Sequence, residues 1–463
     1  MHRENAAATS LELDMSREYI TKTAALLSKS APLYSLITYG CQMNEHDSET
    51  LSGMLEEMGY APAEGAPADL IIFNTCCVRE HAEQRVYGNI GSLRQYKEER
   101  PDAIIAVCGC MMQQDGAADA LLKRFPFVNI AFGTNNITDF PKLVYDALSG
   151  RRSMAIGGGD RVLEGMPVKR KSGPLGWLSI MFGCDNYCSY CIVPYVRGRE
   201  RSRSMEAILE EARQLCNDGC REITLLGQNV NSYGRDNDED NFARLLWELS
   251  ETKGLERIRF MTSHPKDLSD ELIEVIAVSD KVCPQLHLPV QSGSDAVLAA
   301  MNRGYTSDHY RALIEKLRKA VPNIGLTTDV IVGFPGETDA DFADTLSLMR
   351  DIRFHAAYTF KYSKRSGTAA ANMAHQVPSV EKSARLKELN ALQKLITAEI
   401  QASYIGREYD LLIEGPAKKE GQVCGKTGCG RTVNIMSADT KPGDIVRVII
   451  DKAGANTLNG RLI

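Results

Sequence analysis

Short apolar runs alternate with helical patterns over the first third of the chain. The apolar runs predict strands at 33–39, 69–74, 103–107 and 128–132, and helical spacing of apolar residues lies between them, including a stretch at 78–97. Strands that alternate with helices favour a parallel sheet covered on both faces. We therefore expect an α/β N-terminal domain over residues 32–150. The polar residues 1–31 before it predict a flexible tail with at most one short helix.

The same alternation returns after residues 151–173, a stretch rich in Gly, Arg and Lys that we interpret as a linker. Strands are predicted at 177–182, 222–226, 257–262, 285–290, 326–333 and 357–362, and a long amphipathic helix at 379–402. Six βα units predict a partial (β/α)6 barrel over residues 174–402. Short β-type runs separated by Gly, Pro and Asn predict a small antiparallel β-barrel over residues 403–463.

The composition of the chain limits the classes of protein to which it can belong. The chain has 463 residues, is 43% apolar and 25% charged, and carries a net charge of −6. It shows neither an apolar run long enough to span a membrane nor a secretory signal pattern. Thirteen cysteines in a chain of this size indicate reduced thiols and metal ligands, so we expect a cytoplasmic protein. The acidic balance means that any contact with nucleic acid must come from local basic patches.

Three cysteines with C-x3-C-x2-C spacing, Cys184, Cys188 and Cys191, directly follow an apolar run. Closely spaced thiolates in such a protein favour an iron–sulfur cluster. Three ligands leave one iron of a four-iron cluster open to a small molecule. The alternative is a structural zinc knuckle, which needs a fourth Cys or His nearby; Cys216 and Cys220 fall on a predicted helix.

Three further cysteines, Cys41, Cys76 and Cys110, each follow one of the first three predicted strands. Ligands of open parallel sheets bind where the carboxyl ends of the strands meet, so these thiols are expected to converge on one metal site. The alternative is three unrelated buried thiols, since free cysteine is often buried. Cys77 and Cys108 are immediate neighbours that could replace Cys76 or Cys110 as ligands.

Polar residues follow the barrel strands, where barrel enzymes carry their chemistry. As isolated tripeptides they would be simple loops, but their repeated placement predicts a binding site formed by Gly227, Gln228, Asn229, Ser263, His264, Gln291, Gly333 and Glu337. Basic residues predict contact with RNA phosphate, although an arginine run also suits a solvated face; the candidates are Arg197, Arg199, Arg203, Lys418 and Lys419.

The C-x3-C-x2-C motif with Tyr190 before its last cysteine resembles the signature of the radical S-adenosylmethionine (SAM) superfamily. The resemblance implies that the open iron binds SAM, that a 5′-deoxyadenosyl radical is formed, and that Tyr190 lies near the adenine. It also implies that the strand-end residues bind SAM. The order of residues along the family motif favours Cys76 and Cys110 over Cys77 and Cys108.

All three predicted domains, in order, resemble the methylthiotransferase family, which combines an N-terminal cluster domain, a radical SAM barrel and an RNA-binding TRAM domain. TYGCQMNEHDSE, FNTCCVRE, HLPVQSGS and DVIVGFPGET resemble the MiaB-type branch, whose members convert N6-isopentenyladenosine at position 37 of tRNA to its 2-methylthio derivative. The branch acting on a ribosomal protein typically has CPKN, and the threonylcarbamoyladenosine branch CKVN, where this chain has CQMN. Cys108 departs from the usual glycine.

The resemblance implies two [4Fe-4S] clusters and two molecules of SAM. One SAM would donate a methyl group to sulfur at the N-terminal cluster, and the other would supply the radical that removes hydrogen from adenosine C2. The implied partners are tRNA and a low-potential reductant such as a flavodoxin or ferredoxin system, and we expect a monomer. A non-catalytic iron–sulfur protein that binds RNA or relays electrons is the alternative from another functional class.

Overall fold

The computed structural model describes residues 2–77, 80–158, 162, 164–170, 173–236 and 240–463, without the side chains of residues 2–10 and 80–82. The chain forms two compact units. One comprises residues Met1–Lys171, Met181–Asp185 and Ile192–Arg203, and the other Ser172–Ile180, Asn186–Cys191 and Ser204–Ile463. The predicted helix start at Val78 and positions 159–161, 163, 171 and 172 of the predicted linker lie outside the described residues.

The first unit is built on a six-stranded sheet in which every neighbouring pair of strands is parallel. Its strands, in the spatial order β2-β1-β3-β4-β5-β6, are β1 (Leu33–Thr38), β2 (Ala61–Pro62), β3 (Leu70–Thr75), β4 (Ile104–Gly109), β5 (Ile130–Phe132) and β6 (Ser153–Ala155). The central strands β3 and β4 are buried along their whole length, as expected for a sheet covered on both faces. The predicted parallel sheet is confirmed.

Helices cover both faces of this sheet. They are α1 (His2–Leu27), α2 (Gln42–Glu57), α3 (Glu80–Glu99), α4 (Ala117–Arg124) and α5 (Phe140–Leu148). Alternate residues of the strands enter two separate cores: Ile72 and Cys108 belong to one, and Ile71 and Val107 to the other. Later in the chain, β8 (Met181–Phe182) and β9 (Arg201–Ser202) pair antiparallel within the same unit, with α6 (Val193–Arg197) between them.

Two predictions about this unit are wrong. The expected flexible tail contains the 26-residue helix α1, because Ile20 is buried in the core and Tyr19 packs edge-on against Tyr145 at 5.5 Å. The expected linker contributes β6, which pairs with β5 at the edge of the sheet. Lys169, also in that stretch, forms an ion pair with Glu56 of α2 at 2.9 Å, so these residues pack onto the unit.

The second unit contains the predicted barrel, whose strands form two three-stranded parallel sheets. The strands of one sheet are β7 (Leu175–Ser179), β10 (Glu222–Leu226) and β11 (Arg257–Phe260), and those of the other are β12 (Gln285–His287), β13 (Gly325–Val332) and β14 (Ala356–Lys361). The helices are α7 (Met205–Asn217), α8 (Phe242–Ser250), α9 (Asp270–Val278), α10 (Asp295–Ala300), α11 (Ser307–Ala320), α12 (Asp339–Ile352) and α13 (Ser379–Ala402). All six predicted strands and the long final helix are confirmed.

The C-terminal residues close into a five-stranded barrel in the same unit, in the order β15-β16-β17-β19-β18. The strands are β15 (Glu408–Pro416), β16 (Gln422–Thr427), β17 (Thr432–Met436), β18 (Ile445–Ala453) and β19 (Leu458–Leu462). All neighbouring strands are antiparallel except β17 and β19. Closure leaves no unpaired edge strand. Among the described residues, no helix has the length and apolar character required to cross a lipid bilayer.

Candidate functional site

The structure brings Cys41, Cys76 and Cys110 to one end of the first unit's sheet. The Cys41 Sγ lies 3.7 Å, and the Cys110 Sγ 4.0 Å, from the same oxygen, Asn44 Oδ1. Cys76 lies close to Gly40, the residue directly before Cys41. A Cβ added at Gly40 would lie only 2.7 Å from the Cys76 Cβ. Cys41 is exposed, whereas Cys76 and Cys110 are buried. Three cysteine thiols gathered at the carboxyl ends of β1, β3 and β4 fit the donor set of an iron–sulfur cluster.

A network of asparagines explains why the three strand ends stay together. The Asn44 Nδ2 donates to the carbonyl oxygens of Tyr39 and Thr75, both at 3.0 Å. Asn74 donates in return to the carbonyl oxygen of Asn44 at 2.8 Å and to Ser48 Oγ at 3.0 Å. These buried bonds tie the first turn of α2 to the ends of β1 and β3.

Cys77 and Cys108, the sequence neighbours of Cys76 and Cys110, have different surroundings. Cys108 faces the apolar core on one side of the sheet, and burial raises the pKa of its thiol well above the usual value. Cys77 is buried beside Cys110 and donates a hydrogen bond to it. That bond and then the guanidinium of Arg197, acting against burial, lower the pKa of Cys110 below its usual value, which favours the thiolate form that metals bind.

The position of Arg197 differs from the prediction that the arginine run contacts RNA phosphate. Its side chain is buried, with Nε 3.3 Å from the Cys110 Sγ and Nη2 2.7 Å from Asp47 Oδ2 and 3.1 Å from Asn44 Oδ1. Arg203 is also buried and lies 3.8 Å from Glu164. Of the three predicted contacts in this run, only Arg199 is at the surface, where it pairs with Asp185. Burial removes Arg197 and Arg203 from any contact with phosphate.

The loop that carries Cys184, Cys188 and Cys191 passes from the first unit to the second. In the first, the backbone N–H of Cys184 donates to the Gly198 carbonyl at 3.2 Å. Gly183 has a φ of +76°, and an added Cβ would lie 1.8 Å from the Arg199 carbonyl oxygen. Only glycine therefore suits the position before the first cysteine.

The part of the loop in the second unit is held by the segment after α10. The Asn302 Nδ2 donates to the carbonyls of Asn186 and Tyr187, at 3.3 and 3.1 Å, and the Ser189 N–H donates to the carbonyl of Met301 at 3.0 Å. Cys188 is buried and Cys191 half-buried. These backbone contacts fix where the two thiols lie relative to the barrel strands.

Arg303 is a residue that the sequence interpretation missed. Its Nη1 lies 3.4 Å from both Cys188 Sγ and Tyr190 Oη, and its Nη2 donates to the Pro289 carbonyl at 2.8 Å. Only 4% of its surface is exposed. Tyr190, the predicted adenine neighbour, therefore lies next to a buried cation and a cysteine. No spacing motif in the sequence signals this contact.

Four buried side chains at the barrel strand ends carry polar atoms without a hydrogen-bond partner among the described residues. They are the Oδ1 of Asn229, the Oγ of Ser263, the Nε2 of His264 and the Oε1 of Gln291. Buried polar atoms are rarely left unpaired in native proteins, so these are atoms that a polar ligand would satisfy. SAM offers an ammonium, a carboxylate, ribose hydroxyls and an adenine, which fits this set of donors and acceptors.

His264 supplies a nitrogen donor to this set. Burial, reinforced by the positive charge of Arg303, lowers the pKa of its imidazole to about 2, so the ring is neutral. The Nδ1 accepts a hydrogen bond from the Lys266 N–H at 3.3 Å, which places the ring proton on the unpaired Nε2.

The other predicted strand-end residues differ in what they offer. Gly227 and Gly333 are buried beside the strand ends, and Gln228 is half-buried. Glu337 is engaged elsewhere, because its Oε1 accepts from the Gly333 N–H and from Arg385 Nη1, both at 2.9 Å. The structure therefore assigns Glu337 to shaping the loop after β13. Gln291 has a φ of +72°, a strained backbone that places it among residues typical of functional sites.

Lys418 and Lys419 lie exposed in the turn between β15 and β16. This position is accessible to an RNA backbone.

Comparisons with known proteins match three segments of the chain. Sequence profiles match the Radical SAM superfamily over residues 178–349, the Uncharacterized protein family UPF0004 over residues 34–133, and the TRAM domain over residues 402–463. Among solved structures, TsrM from Kitasatospora setae, described as a radical S-adenosylmethionine methyltransferase, aligns with a TM-score of 0.55 at 15% identity. The alignment covers 74% of this chain and 77% of that one, and it shows likeness of fold alone.

Full-length relatives are much closer in sequence. A protein of Thermoanaerobacter pseudethanolicus named tRNA-2-methylthio-N(6)-dimethylallyladenosine synthase is 49% identical over 96% of both chains. A protein of the same name from Clostridium perfringens is 48% identical over 93% of this chain and 98% of its own. Identity at this level over nearly the whole length, through all three regions, shows that the chain belongs to the tRNA-2-methylthio-N(6)-dimethylallyladenosine synthase family.

Proposed function

We propose that this protein catalyses methylthiolation at C2 of N6-isopentenyladenosine at position 37 of tRNA, giving the 2-methylthio derivative. The observation that carries this proposal is the near full-length likeness to relatives named for that product. The gathering of one set of cysteines at strand ends and the unpaired polar atoms at the barrel strand ends support it.

In this function Cys41, Cys76 and Cys110 hold one [4Fe-4S] cluster, and Cys184, Cys188 and Cys191 hold a second. When bound, the clusters and two molecules of SAM supply the methylthio group and the 5′-deoxyadenosyl radical that reaches an unactivated C–H bond. Asn229, Ser263, His264 and Gln291 orient SAM through their unpaired polar atoms. Deep burial of these side chains excludes water from the place where a radical would form.

The C-terminal β-barrel binds the tRNA backbone, with exposed Lys418 and Lys419 on its surface and Arg199 on the first unit. A low-potential reductant of the flavodoxin or ferredoxin type supplies electrons, and the protein acts as a monomer. Thirteen cysteines without a disulfide framework and a tRNA substrate suit the cytoplasm.

The test is anaerobic reconstitution with iron, sulfide, SAM, a reductant and tRNA from a strain lacking the enzyme. We expect 2-methylthio-N6-isopentenyladenosine in the digested tRNA and 5′-deoxyadenosine in solution. Replacing Cys184, Cys188 and Cys191 by Ala abolishes both products. Replacing Cys41, Cys76 and Cys110 abolishes the modified nucleoside and leaves 5′-deoxyadenosine formation in place. A reconstituted protein that forms no 5′-deoxyadenosine would instead be an iron–sulfur protein without this catalysis, and methylthiolation of a different nucleoside would refute the substrate.

A further inference from the structure

Each cysteine trio has one buried guanidinium in contact with one of its sulfurs. In the first unit, Arg197 Nε lies 3.3 Å from the Cys110 Sγ. In the second, Arg303 Nη1 lies 3.4 Å from the Cys188 Sγ. The two arginines are 5% and 4% exposed, so solvent screens neither charge effectively.

The charges around the two arginines differ. Arg197 is paired with Asp47 at 2.7 Å, and the two side chains are 6% and 5% exposed. Apart from Cys188, the hydrogen-bond partners of Arg303 are neutral: the carbonyl of Pro289 at 2.8 Å, the hydroxyl of Tyr305 at 3.0 Å and the hydroxyl of Tyr190. Within the described part of the chain, the ionisable groups that interact most strongly with Arg303 are Tyr190, Tyr305 and Cys188, and no carboxylate is among them. Arg197 and Asp47 together therefore add no net charge to the first site, whereas Arg303 adds a net positive charge to the second.

We propose that Arg197 and Arg303 are positioning residues that set the reduction potentials of the two clusters, with only Arg303 contributing an uncompensated charge. A cluster gains one negative charge on reduction, so a buried cation stabilises its reduced state more than its oxidised state. Hydrogen bonds to ligand sulfurs act in the same direction. The inference rests on the cysteine assignments of the proposed function.

The different charges beside the two cysteine trios affect how easily each cluster would be reduced. Arg303 would make a cluster held by the barrel cysteines easier to reduce by a given donor, and the proposed cleavage of SAM would require that reduction. At the first site, Asp47 cancels most of the charge of Arg197. Arg197 then contributes its hydrogen bond to Cys110 and the orientation of Asn44, with little change in net charge.

The experiment measures midpoint potentials in two full-length parents that each keep one cluster. Cys41→Ala/Cys76→Ala/Cys110→Ala retains the barrel cluster, and Cys184→Ala/Cys188→Ala/Cys191→Ala retains the N-terminal cluster. Iron and sulfide counts establish loading, and redox titration followed by electron paramagnetic resonance, without SAM, gives the potential. Parents without any cluster would contradict the proposed function itself, which separates that failure from failure of this inference.

In the barrel-cluster parent, Arg303→Met is expected to lower the potential by about 59 mV or more, a tenfold change in the equilibrium constant of a one-electron couple. Arg303→Lys, which keeps the charge, is expected to recover most of that change. A fully loaded Arg303→Met protein with the parental potential overturns the inference. Failure of both variants to bind iron also overturns the inference, because the cluster site would then depend on the shape of the arginine side chain and not on its charge.

In the N-terminal-cluster parent, Arg197→Met leaves Asp47 as a buried unpaired carboxylate and is expected to lower the potential. Adding Asp47→Asn removes that carboxylate and is expected to return the potential toward the parental value. A double variant that stays at the potential of Arg197→Met overturns the idea that Asp47 compensates the charge. Loss of iron from Arg197→Met but not from the double variant supports it, since only the unpaired charge distinguishes the two.

Discussion

At the scale of single residues, Glu337 and Arg385 form a buried ion pair behind the loop that follows β13. Their side chains are 2% and 5% exposed and 2.9 Å apart. Glu337→Ala leaves the guanidinium partly uncompensated, which costs about 3–5 kcal/mol for a fully buried pair. We expect the lower end of that range, because Arg385 also contacts Asp339 and Glu381. Urea unfolding followed by circular dichroism measures the loss.

The control is Asp339→Asn, which alters another partner of the same arginine. Asp339 is 97% exposed, and ion pairs of exposed side chains contribute little. Its unfolding midpoint should match that of the parent. Equal losses in the two variants would mean that burial does not set the strength of the Glu337 contact.

Cys108 and Cys110 differ by two positions and face different surroundings. Because Cys108 lies in the apolar core and Cys110 lies beside Asn44 and Arg197, only Cys110 is expected to bind metal. In a chain lacking the second cysteine trio, Cys108→Ala should keep its iron and lose about 1 kcal/mol of stability from the small cavity. Cys110→Ala should lose the iron. Retention of iron by Cys110→Ala together with its loss from Cys108→Ala would reverse the assignment.

The cysteines of the two proposed cluster sites could be singled out because their spacing and their positions after strands are visible in the sequence. Arg197 could not, because its partner Asp47 lies 150 positions away and alternating arginines are typical of a solvated surface. Arg303 was missed for the same reason, since its contact with Cys188 spans 115 positions. Contacts between residues so far apart in the sequence result from tertiary packing, and a local sequence pattern does not indicate them.

At the scale of elements, the end of β4 depends on Gly109. This residue has a φ of +94°, and an added Cβ would lie 2.4 Å from the Thr75 carbonyl oxygen. Gly109→Ala must therefore push β4 away from β3 directly before Cys110. We expect a loss of roughly 1–3 kcal/mol from the strained backbone alone, and reduced iron binding at Cys41, Cys76 and Cys110. Thermal unfolding and iron counts measure the two effects.

Gly116→Ala is the matched control for that substitution. Gly116 also has a left-handed backbone, with a φ of +68°, but an added Cβ meets nothing within 4 Å. The control therefore carries the backbone strain without the collision. Iron content should stay at the parental value in Gly116→Ala and fall in Gly109→Ala. Equal iron content in both would show that the approach of β4 to β3 does not position Cys110.

The elements that the sequence predicted well are those with a strong periodic pattern. The buried strands β3, β4 and β13 stand out as apolar runs, and α13 was placed over the residues it occupies. Weak patterns failed: β6 is three residues long at a sheet edge, and α1 has a polar, alanine-rich sequence. Both are stabilised by neighbours that lie elsewhere in the chain, β5 for the strand and α5 for the helix.

At the scale of the whole molecule, acid should weaken the second unit through His355. Burial, aided by Arg431 and Arg318, lowers the pKa of its imidazole to about 4, against about 6.5 in an unfolded chain. The unfolded state therefore binds the proton first as the pH falls, so stability is lost between about pH 6.5 and 4, by at most about 3 kcal/mol. His355→Asn removes the titration, and its stability should depend less on pH over that range. An unchanged pH profile would contradict this.

The barrel and the C-terminal β-barrel belong to one unit, and two arginines of β11 bond to backbone carbonyls across their contact. Arg259 donates to Thr427 and Gly428, at 2.8 and 2.9 Å, and Arg257 donates to Asp410 at 2.9 Å. The sequence predicted both barrels but not this connection, since each barrel is recognised from its own strands. In the proposed function, a C-terminal β-barrel anchored in this way would hold RNA at a fixed place relative to the barrel.

Arg259→Ala is expected to loosen that connection. Glu222, 4% exposed and 2.8 Å from Arg259 Nε, would lose its buried partner, and loss of one member of such a pair costs about 3–5 kcal/mol. Limited proteolysis should then cut between residues 403 and 408 faster than in the parent, while the iron content stays the same. Arg221→Ala, which breaks the exposed pair with Glu256, is the control and should be cleaved at the parental rate. If Arg259→Ala resists proteolysis as well as the control does, the two barrels are held together by other contacts, and the fixed placement of RNA does not depend on β11.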